Sequence, residues 1–308
     1  MVFAIALMAA WPITGDGLPY KTNSIPALSN LLSLLDDNKL FKVSLSVILI
    51  FIQALLLNNL IIRHKLSRAL STIPAAVFVL FSSFVIEDYH FHPVLIANVF
   101  CLLSINSLFK IYKKHLPIVT IFNSGFWMAV ASIIYQPYIV YFIVLLIGLY
   151  SMRNLDLRES LQMFLGLLAP MGLIVVWAFY HGQLHTILLS VIDNFSVPDL
   201  SKISLLNMLK PLLTLSFIIL AGLFHNEIKK KKKFDAIKKI ELGYWLMLFS
   251  IFTIFLMSPL QQPHLIIVSI PIAISLGLLL ESKNNSVIKE FLFLLGIGVY
   301  VGFLLDVV

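Results

Sequence analysis

The residues best suited to chemistry lie in a short polar segment between two apolar runs, Glu87-Asp88-Tyr89-His90-Phe91-His92-Pro93. Carboxylates and imidazoles this close together could bind a divalent cation or transfer protons. The spacing of His90 and His92 can place both rings on one side of an extended turn. The alternative is a polar hairpin tip that simply keeps the turn in water, and composition alone leaves both open.

Other polar side chains stand in similar short segments. Asp16 is flanked by two glycines, which expose its carboxylate or form a plain turn. Gln261 and His264 belong to another such turn. His181 and His185 are four residues apart and could share one helix face, but they have no Glu between them and no third ligand nearby. We therefore assign no metal ligands; the only cofactor left open is a divalent cation at the acidic residues.

The polar segments alternate along the chain with basic ones, and this alternation orients the chain in a membrane. Five basic segments carry 17 of the 22 Lys and Arg residues, among them Arg63, Lys110, Arg153 and the lysine run 229–233. Loops rich in Lys and Arg stay in the cytoplasm because these charges resist translocation. We therefore expect the basic segments to be cytoplasmic, and the acids and histidines above to face the opposite side. The lysine run could also contact anionic lipid headgroups.

The composition excludes an ordinary soluble domain. Apolar residues make up 60% of the chain and charged residues 12%, with a mean hydropathy of +0.98. A soluble domain carries about 25% charged residues, so lipid must cover much of this surface. The net charge of +7 sits in short loops beside apolar runs, where orientation requires it, which argues against a nucleic-acid partner. The single cysteine rules out an intrachain disulfide.

The apolar runs predict an all-α fold, a polytopic transmembrane bundle of ten or eleven spans. Runs of this length read as helices because a helix satisfies its own backbone hydrogen bonds in lipid. The predicted spans are 1–14, 43–62, 71–86, 94–109, 117–135, 138–152, 161–180, 205–225, 242–258, 264–281 and 291–307. The first is short for a span, which leaves the count open.

No boundary divides the chain, so we predict one integral membrane domain over residues 1–308. Its two longest outer segments are 15–42, with room for a helix lying on the membrane surface, and 181–204. In the second, apolar residues from Leu184 to Ile192 follow a helical stripe suited to the membrane interface. Few polar residues lie within spans, and Gln53 and Gln162 are placed nearer the helix ends, which disfavours a transporter.

Part of the chain, residues 86 to 172, resembles a family of polytopic inner-membrane proteins of Gram-negative bacteria known only as a domain of unknown function. The matching segments are His92-Pro93-Val94-Leu95-Ile96-Ala97-Asn98, Phe126-Trp127, Leu157-Arg158-Glu159-Ser160 and Gly166-Leu167-Leu168-Ala169-Pro170. The resemblance implies a multi-pass protein of the bacterial inner membrane, and it implies no activity.

The layout also resembles the C-type glycosyltransferase superfamily, multi-span enzymes that use polyprenyl-phosphate-linked sugars. Such enzymes carry an acid in the first outer loop and another between the third and fourth spans, where Asp16 and Glu87-Asp88 stand here. The run 126–132 and the following turn at Gln136-Pro137 are similar to that superfamily's middle spans. This sequence departs from the pattern in having Tyr135-Gln136 where a basic residue is often found, and in lacking a DxD pair.

This second resemblance implies an enzyme at the extracytoplasmic face. An outer carboxylate would act as base on the acceptor hydroxyl, while other groups stabilise the leaving phosphate. The catalytic candidates are Asp16, Glu87 and Asp88, and the substrate-binding candidates are His90, His92, Gln261 and His264.

Two other classes of function remain open. The first is a non-catalytic scaffold or assembly component of a cell-envelope complex, and the second is a transporter or flippase. The expected partners are membrane lipids, together with a polyprenyl-phosphate sugar donor for the enzyme or other envelope proteins for the scaffold.

Overall fold

A computed structural model describes residues 39–67, 71–86, 91–112, 114–153, 156–194, 205–229, 232–255 and 262–282. All regular structure in these residues is helical, as predicted. The α-helices are α1 (Lys39–Arg63), α2 (Ile73–Val85), α3 (Pro93–Phe109), α4 (Ile118–Ile134), α5 (Tyr141–Met152), α6 (Leu157–Tyr180), α7 (Leu184–Asn194), α8 (Leu205–Leu223), α9 (His225–Lys229), α10 (Phe234–Phe255) and α11 (Ser269–Ser282). Two 3-10 helices, Gln136–Val140 and Gln262–Val268, lead directly into α5 and α11.

The described helices follow the predicted apolar runs. Each predicted span from 43–62 to 264–281 coincides with a helix or with a 3-10 helix and the α-helix after it. The helix predicted from the apolar stripe of 181–204 is also present, as α7. The runs 1–14 and 291–307, like most of the segment 15–42, lie outside the described residues.

Three of the described helical segments are long and apolar enough to cross a membrane: Phe41–Arg63, Leu157–Tyr180 and His264–Glu281. They differ in their burial by other helices. The last is 94% buried, whereas Leu157–Tyr180 is 28% buried, so α11 is central and α6 lies at the periphery. The central helix packs against α2, α8, α9 and α10.

Small residues bring α3, α4 and α6 into close contact. The hydroxyls of Ser104 and Ser124 each donate to the other residue's carbonyl, at 2.7 and 3.2 Å, which ties α3 to α4. Gly125 of α4 faces the carbonyl of Met163, and Gly166 of α6 faces the backbone of Phe122. Apolar side chains gain little from meeting one another in lipid, so helices there associate through close approach and hydrogen bonds of this kind.

The basic segments among the described residues meet at one end of the bundle, called here the basic end. Side chains donate to backbone carbonyls across four of them: Lys232 to Leu66 (2.6 Å), Arg153 to Lys114 (2.7 Å) and Lys238 to Ser151 (2.5 Å). The alternation seen along the sequence is therefore also an alternation in space.

Three acids at the basic end have basic partners, as their sequence neighbours suggest. The ion pairs are Glu159 with Arg153 (2.8 Å), Glu241 with Lys229 (2.5 Å) and Asp235 with Lys239 (2.9 Å). Asp156 serves a different purpose, since its carboxylate accepts from the backbone N–H of Arg158 (2.9 Å) and caps the start of α6.

Candidate functional site

Three X-Pro pairs start helices at the other end of the bundle, called here the histidine end. They are His92-Pro93, Gln136-Pro137 and Gln262-Pro263. Proline suits a first helical turn because its φ is already helical and its missing N–H would have no partner there. His92 completes its own helix start, since its Nδ1 accepts from the backbone N–H of Val94 (3.3 Å). Helix α3 connects the two ends, because His92 precedes it and Lys110 follows it.

A row of three tyrosines enters the core at the histidine end. Tyr135, Tyr138 and Tyr141 are spaced by three, and the 3-10 helix between them has about three residues per turn, so their rings share one face. Their ring centroids are 5.9 and 5.2 Å apart in succession. All three side chains are buried. In an α-helix each ring would instead be rotated by about 60° from the one before it, so the first and third rings would be about 120° apart.

The first tyrosine lies between the two histidines of this end. The hydroxyl of Tyr135 is hydrogen-bonded to Nδ1 of His264. The ring of His92 meets that of Tyr135 edge-on at 5.8 Å, and the two imidazole centroids are 6.2 Å apart. Segments far apart in sequence thus bring two imidazoles and one phenol into a single buried cluster, called here the His-Tyr cluster.

Polar groups continue from this cluster towards the middle of the bundle. The Tyr138 hydroxyl donates to Oδ1 of Asn98, and the Tyr141 hydroxyl is hydrogen-bonded to Ser250 Oγ at 2.5 Å. Gln53 lies at the middle of α1, fully buried, and its Nε2 donates to the carbonyl of Leu95 (3.0 Å). The placement of Gln53 near a helix end was therefore wrong, whereas Gln162 does lie near the start of α6.

The imidazole of His92 in the His-Tyr cluster is neutral, and a cation lies at the same end of the bundle. Burial, and then the adjacent His264, lower the pKa of His92 to about 3, so its imidazole is uncharged at neutral pH. A neutral imidazole offers one donor and one acceptor. Lys210 of α8 is 5% exposed, and its Nζ lies 5.8 Å from the ring centroid of Phe84, near the end of α2.

The structure brings two of the predicted site residues together, His92 and His264. The other five, Asp16, Glu87, Asp88, His90 and Gln261, lie outside the described residues. Chain connectivity nevertheless relates most of them to the cluster. Glu87 directly follows Ile86, the residue that caps α2, and Gln261 directly precedes the second 3-10 helix.

The idea that His181 and His185 share one helix face was wrong. His181 caps the end of α6, and Gly182 follows with a φ of +65°, a left-handed turn that glycine adopts without strain. His185 belongs to the next helix, α7. Among the described residues, no three His, Cys, Asp or Glu side chains are grouped so that they could hold a metal ion.

Sequence reasoning missed the tyrosine row and Lys210. The signal for the row was the spacing of three beginning just before Gln136-Pro137, which is typical of a 3-10 turn. The signal for Lys210 was a cation beside Pro211 within an apolar run, where a charge is costly unless it has a function.

No family model matches this chain, and no curated protein and no solved structure was found to be similar to it.

Proposed function

We propose that this protein is a C-type-glycosyltransferase-like enzyme of the bacterial inner membrane. It binds a polyprenyl-phosphate-linked sugar at the histidine end and transfers the sugar to an acceptor hydroxyl. The basic end faces the cytoplasm, so the reaction takes place at the extracytoplasmic face.

The observation that carries this proposal is the meeting of His92 and His264 at the ring of Tyr135, whose hydroxyl is hydrogen-bonded to His264. Both histidines are among the substrate-binding residues predicted from the sequence. Two of the three catalytic candidates, Glu87 and Asp88, stand within five residues of His92 in the sequence, and Gln261 stands three residues before His264, which supports the proposal. Lys210 supplies a cation at this end, in place of the basic residue that the turn at Gln136-Pro137 lacks.

The proposed reaction uses one carboxylate as a base and other groups to stabilise the leaving phosphate. A carboxylate of Asp16, Glu87 or Asp88 accepts the proton of the acceptor hydroxyl as the hydroxyl oxygen bonds to the anomeric carbon. The bond from that carbon to the phosphate oxygen breaks, and polyprenyl phosphate leaves with the bonding electrons. The ammonium of Lys210 and hydrogen bonds from the two imidazoles stabilise the phosphate oxygens.

The direct test is release of polyprenyl phosphate. Full-length protein in lipid nanodiscs is given a panel of short-chain polyprenyl-phosphate hexoses and pentoses, and the released lipid phosphate is measured by mass spectrometry. Asp16→Asn and Asp88→Asn should each lower the rate by about 100-fold or more. The matched control is Asp156→Asn at the basic end, where asparagine also caps a helix, and it should retain the rate.

Two results would refute the enzyme. One is release from no donor in the panel, and the other is an equal rate in Asp88→Asn and Asp156→Asn at equal protein level. Orientation is tested separately with reporter domains inserted at Lys231 and at Gly182, which should report opposite sides of the membrane. Both on one side would overturn the assignment of faces.

The second candidate is a non-catalytic scaffold of a cell-envelope complex, and burial of the His-Tyr cluster favours it. His92 is 3% exposed and His264 is 1% exposed. Hydrogen bonds among buried polar side chains can fix one packing of helices without any ligand. For a scaffold, Tyr135→Phe lowers stability and complex assembly while Asp88→Asn changes neither.

A transporter or flippase gains support from Gln53, which places a buried amide in the middle of a helix. Lipid-linked sugar loaded into one leaflet of a proteoliposome distinguishes this function. A transporter equilibrates the sugar between leaflets and leaves its bond to phosphate intact.

A further inference from the structure

Helix α3 exposes a single stripe from one end of the bundle to the other. Its other side chains are buried, and the partly exposed positions recur at helical spacing: Ile96, Val99, Phe100, Leu103 and Asn106, with Lys110 at the end. All but the last two are apolar. The stripe is recessed, because these positions are partly exposed, whereas the outer stripe of α1 contains exposed side chains such as Ile48 (53%) and Leu55 (48%).

Neighbouring helices border this stripe on two sides. Asn106 Oδ1 is hydrogen-bonded to Nε2 of His64, which directly follows α1 (3.0 Å). The ring of Phe100 stacks on that of Trp127 in α4, with centroids 5.7 Å apart. The stripe is thus the floor of a shallow groove, called here the α3 groove.

Three cations surround the basic end of the α3 groove. Arg63 is the last residue of α1, Lys110 follows α3, and Lys114 donates from its Nζ to Thr120 Oγ1 in α4 (3.0 Å). In the described part of the chain, no carboxylate lies within ion-pair distance of these three side chains, whereas Arg153, Lys229 and Lys239 do have acids as partners. Because the paired acids of this end contact other cations, the three cations give this end of the α3 groove a positive charge.

The three cations are close enough to affect one another. Burial lowers the pKa of Lys110 first, and the positive charges of Arg63 and Lys114 lower it further. His64, beside the same groove, is held neutral, since burial lowers its pKa to about 4. An anion between the cations would relieve their repulsion.

We propose that the α3 groove binds one anionic phospholipid, with its phosphate among Arg63, Lys110 and Lys114 and an acyl chain along the stripe of α3. Charge complementarity identifies the headgroup, and the apolar floor identifies a lipid rather than a free anion. The stripe from Lys110 to Ile96 is roughly 21 Å long at the α-helical rise. It therefore runs past the middle of a hydrocarbon core about 30 Å thick, which is enough for a full chain of one leaflet.

The site is distinct from the proposed sugar-transfer site, since it lies at the basic end. Neither its existence nor its test depends on the enzyme proposal. A bound anionic lipid here would fix the relative positions of α1, α3 and α4 at the surface where their charges would otherwise repel.

The test compares two charge-matched double variants of the full-length protein in neutral detergent. Arg63→Gln/Lys110→Gln removes two cations from the α3 groove. Arg158→Gln/Lys233→Gln removes two exposed cations of the same end that lie outside it. Binding of long-chain phosphatidylglycerol is measured by native mass spectrometry and by quenching of Trp127 fluorescence with a brominated form of the lipid. Trp127→Phe identifies the signal of that tryptophan.

The groove variant should bind phosphatidylglycerol about tenfold more weakly or worse, and the control variant should bind within about twofold of the parent. Phosphatidylcholine and inorganic phosphate at millimolar concentration should not compete. Equal losses in the two variants would overturn the proposal, because they would show a diffuse charge effect. Competition by inorganic phosphate would overturn it in favour of a free-anion site. Thermal unfolding of each variant shows whether a loss of binding merely reflects loss of the fold.

Discussion

The close crossing of α4 and α6 leads to a quantitative prediction for Gly166→Ala. An ideal Cβ at Gly166 would lie 2.2 Å from the carbonyl oxygen of Phe122, and one at Gly125 would lie 2.1 Å from that of Met163. Ordinary contact begins near 3.4 Å, so the two helices must separate by about 1 Å to accept one methyl group. Both obstacles are backbone atoms, which cannot move aside as a side chain would.

The net cost follows from two opposing effects. Overpacking costs about 1–3 kcal/mol, and a backbone obstacle places this site near the upper value. Alanine gains about 1 kcal/mol over glycine in helix propensity. We therefore expect Gly166→Ala to lower the free energy of unfolding by about 2 kcal/mol. The double variant Gly125→Ala/Gly166→Ala should cost less than the sum of the single ones, because one separation of the helices relieves both contacts.

The chain carries its own reporter for this measurement. Cys101 is the single cysteine and is buried, so a fluorogenic thiol dye reacts with it only on unfolding. The matched control is Gly172→Ala in the same helix, where an added Cβ meets no atom within 4 Å. It should unfold at the parent temperature or above. If the Gly166→Ala and Gly172→Ala variants unfold at the same temperature, the close crossing of α4 and α6 is refuted.

Three further predictions use the same dye assay. Tyr138→Phe removes the donor to Asn98 Oδ1 inside the bundle, which should cost about 1–3 kcal/mol because the amide oxygen stays buried. Arg153→Gln leaves the buried carboxylate of Glu159 without its charged partner and should cost a similar amount, about 1–3 kcal/mol. Burial lowers the pKa of His64 from 6.5 to about 4, so the unfolded chain takes up the proton first. Stability should then fall as the pH drops from about 6.5 towards 4, and His64→Gln should flatten that fall.

Each of these has a matched control. Tyr150→Phe removes an exposed hydroxyl bonded to Ser160 (3.0 Å) and should change stability by less than about 0.5 kcal/mol. Adding Glu159→Gln to Arg153→Gln should recover part of the loss, and no recovery would mean that the ion pair is not the cause. His115→Gln removes an exposed imidazole and should leave the pH profile unchanged. A profile equally steep in His64→Gln would assign the pH dependence to other groups.

The helices could be predicted from the sequence because a long apolar run in lipid can satisfy its backbone hydrogen bonds by forming a helix and in few other ways. The grouping of basic segments at one end of the bundle could also be predicted from the sequence. The ion pair between Glu159 and Arg153 follows from their closeness in sequence. Both signals are local. The contact between His92 and His264 joins segments far apart in sequence, and no feature of either segment predicts contact with the other. Only a shared compartment could be inferred from the alternation of charge.

The errors arose where local geometry departed from a regular α-helix. Counting by four placed His181 and His185 on one face, but the left-handed turn at Gly182 separates them. The tyrosine row was missed for a related reason, because residues spaced by three drift by about 60° per step around an α-helix and align fully only in a 3-10 helix. Gln53 was predicted to lie near the end of its helix, but its amide lies near the middle of α1.

A 3-10 helix at the start of a short apolar run increases the length that the run can reach. A 3-10 helix rises about 2.0 Å per residue against 1.5 Å in an α-helix. The 5 residues of Gln136–Val140 and the 12 of α5 therefore extend about 28 Å, where the same residues in α-helical form would reach about 25 Å. The hydrocarbon core of a bilayer is about 30 Å thick. In a segment that crosses the bilayer, overwinding the first turns would reduce the hydrophobic mismatch, and the stretch of backbone that does so here is the one that aligns the tyrosines.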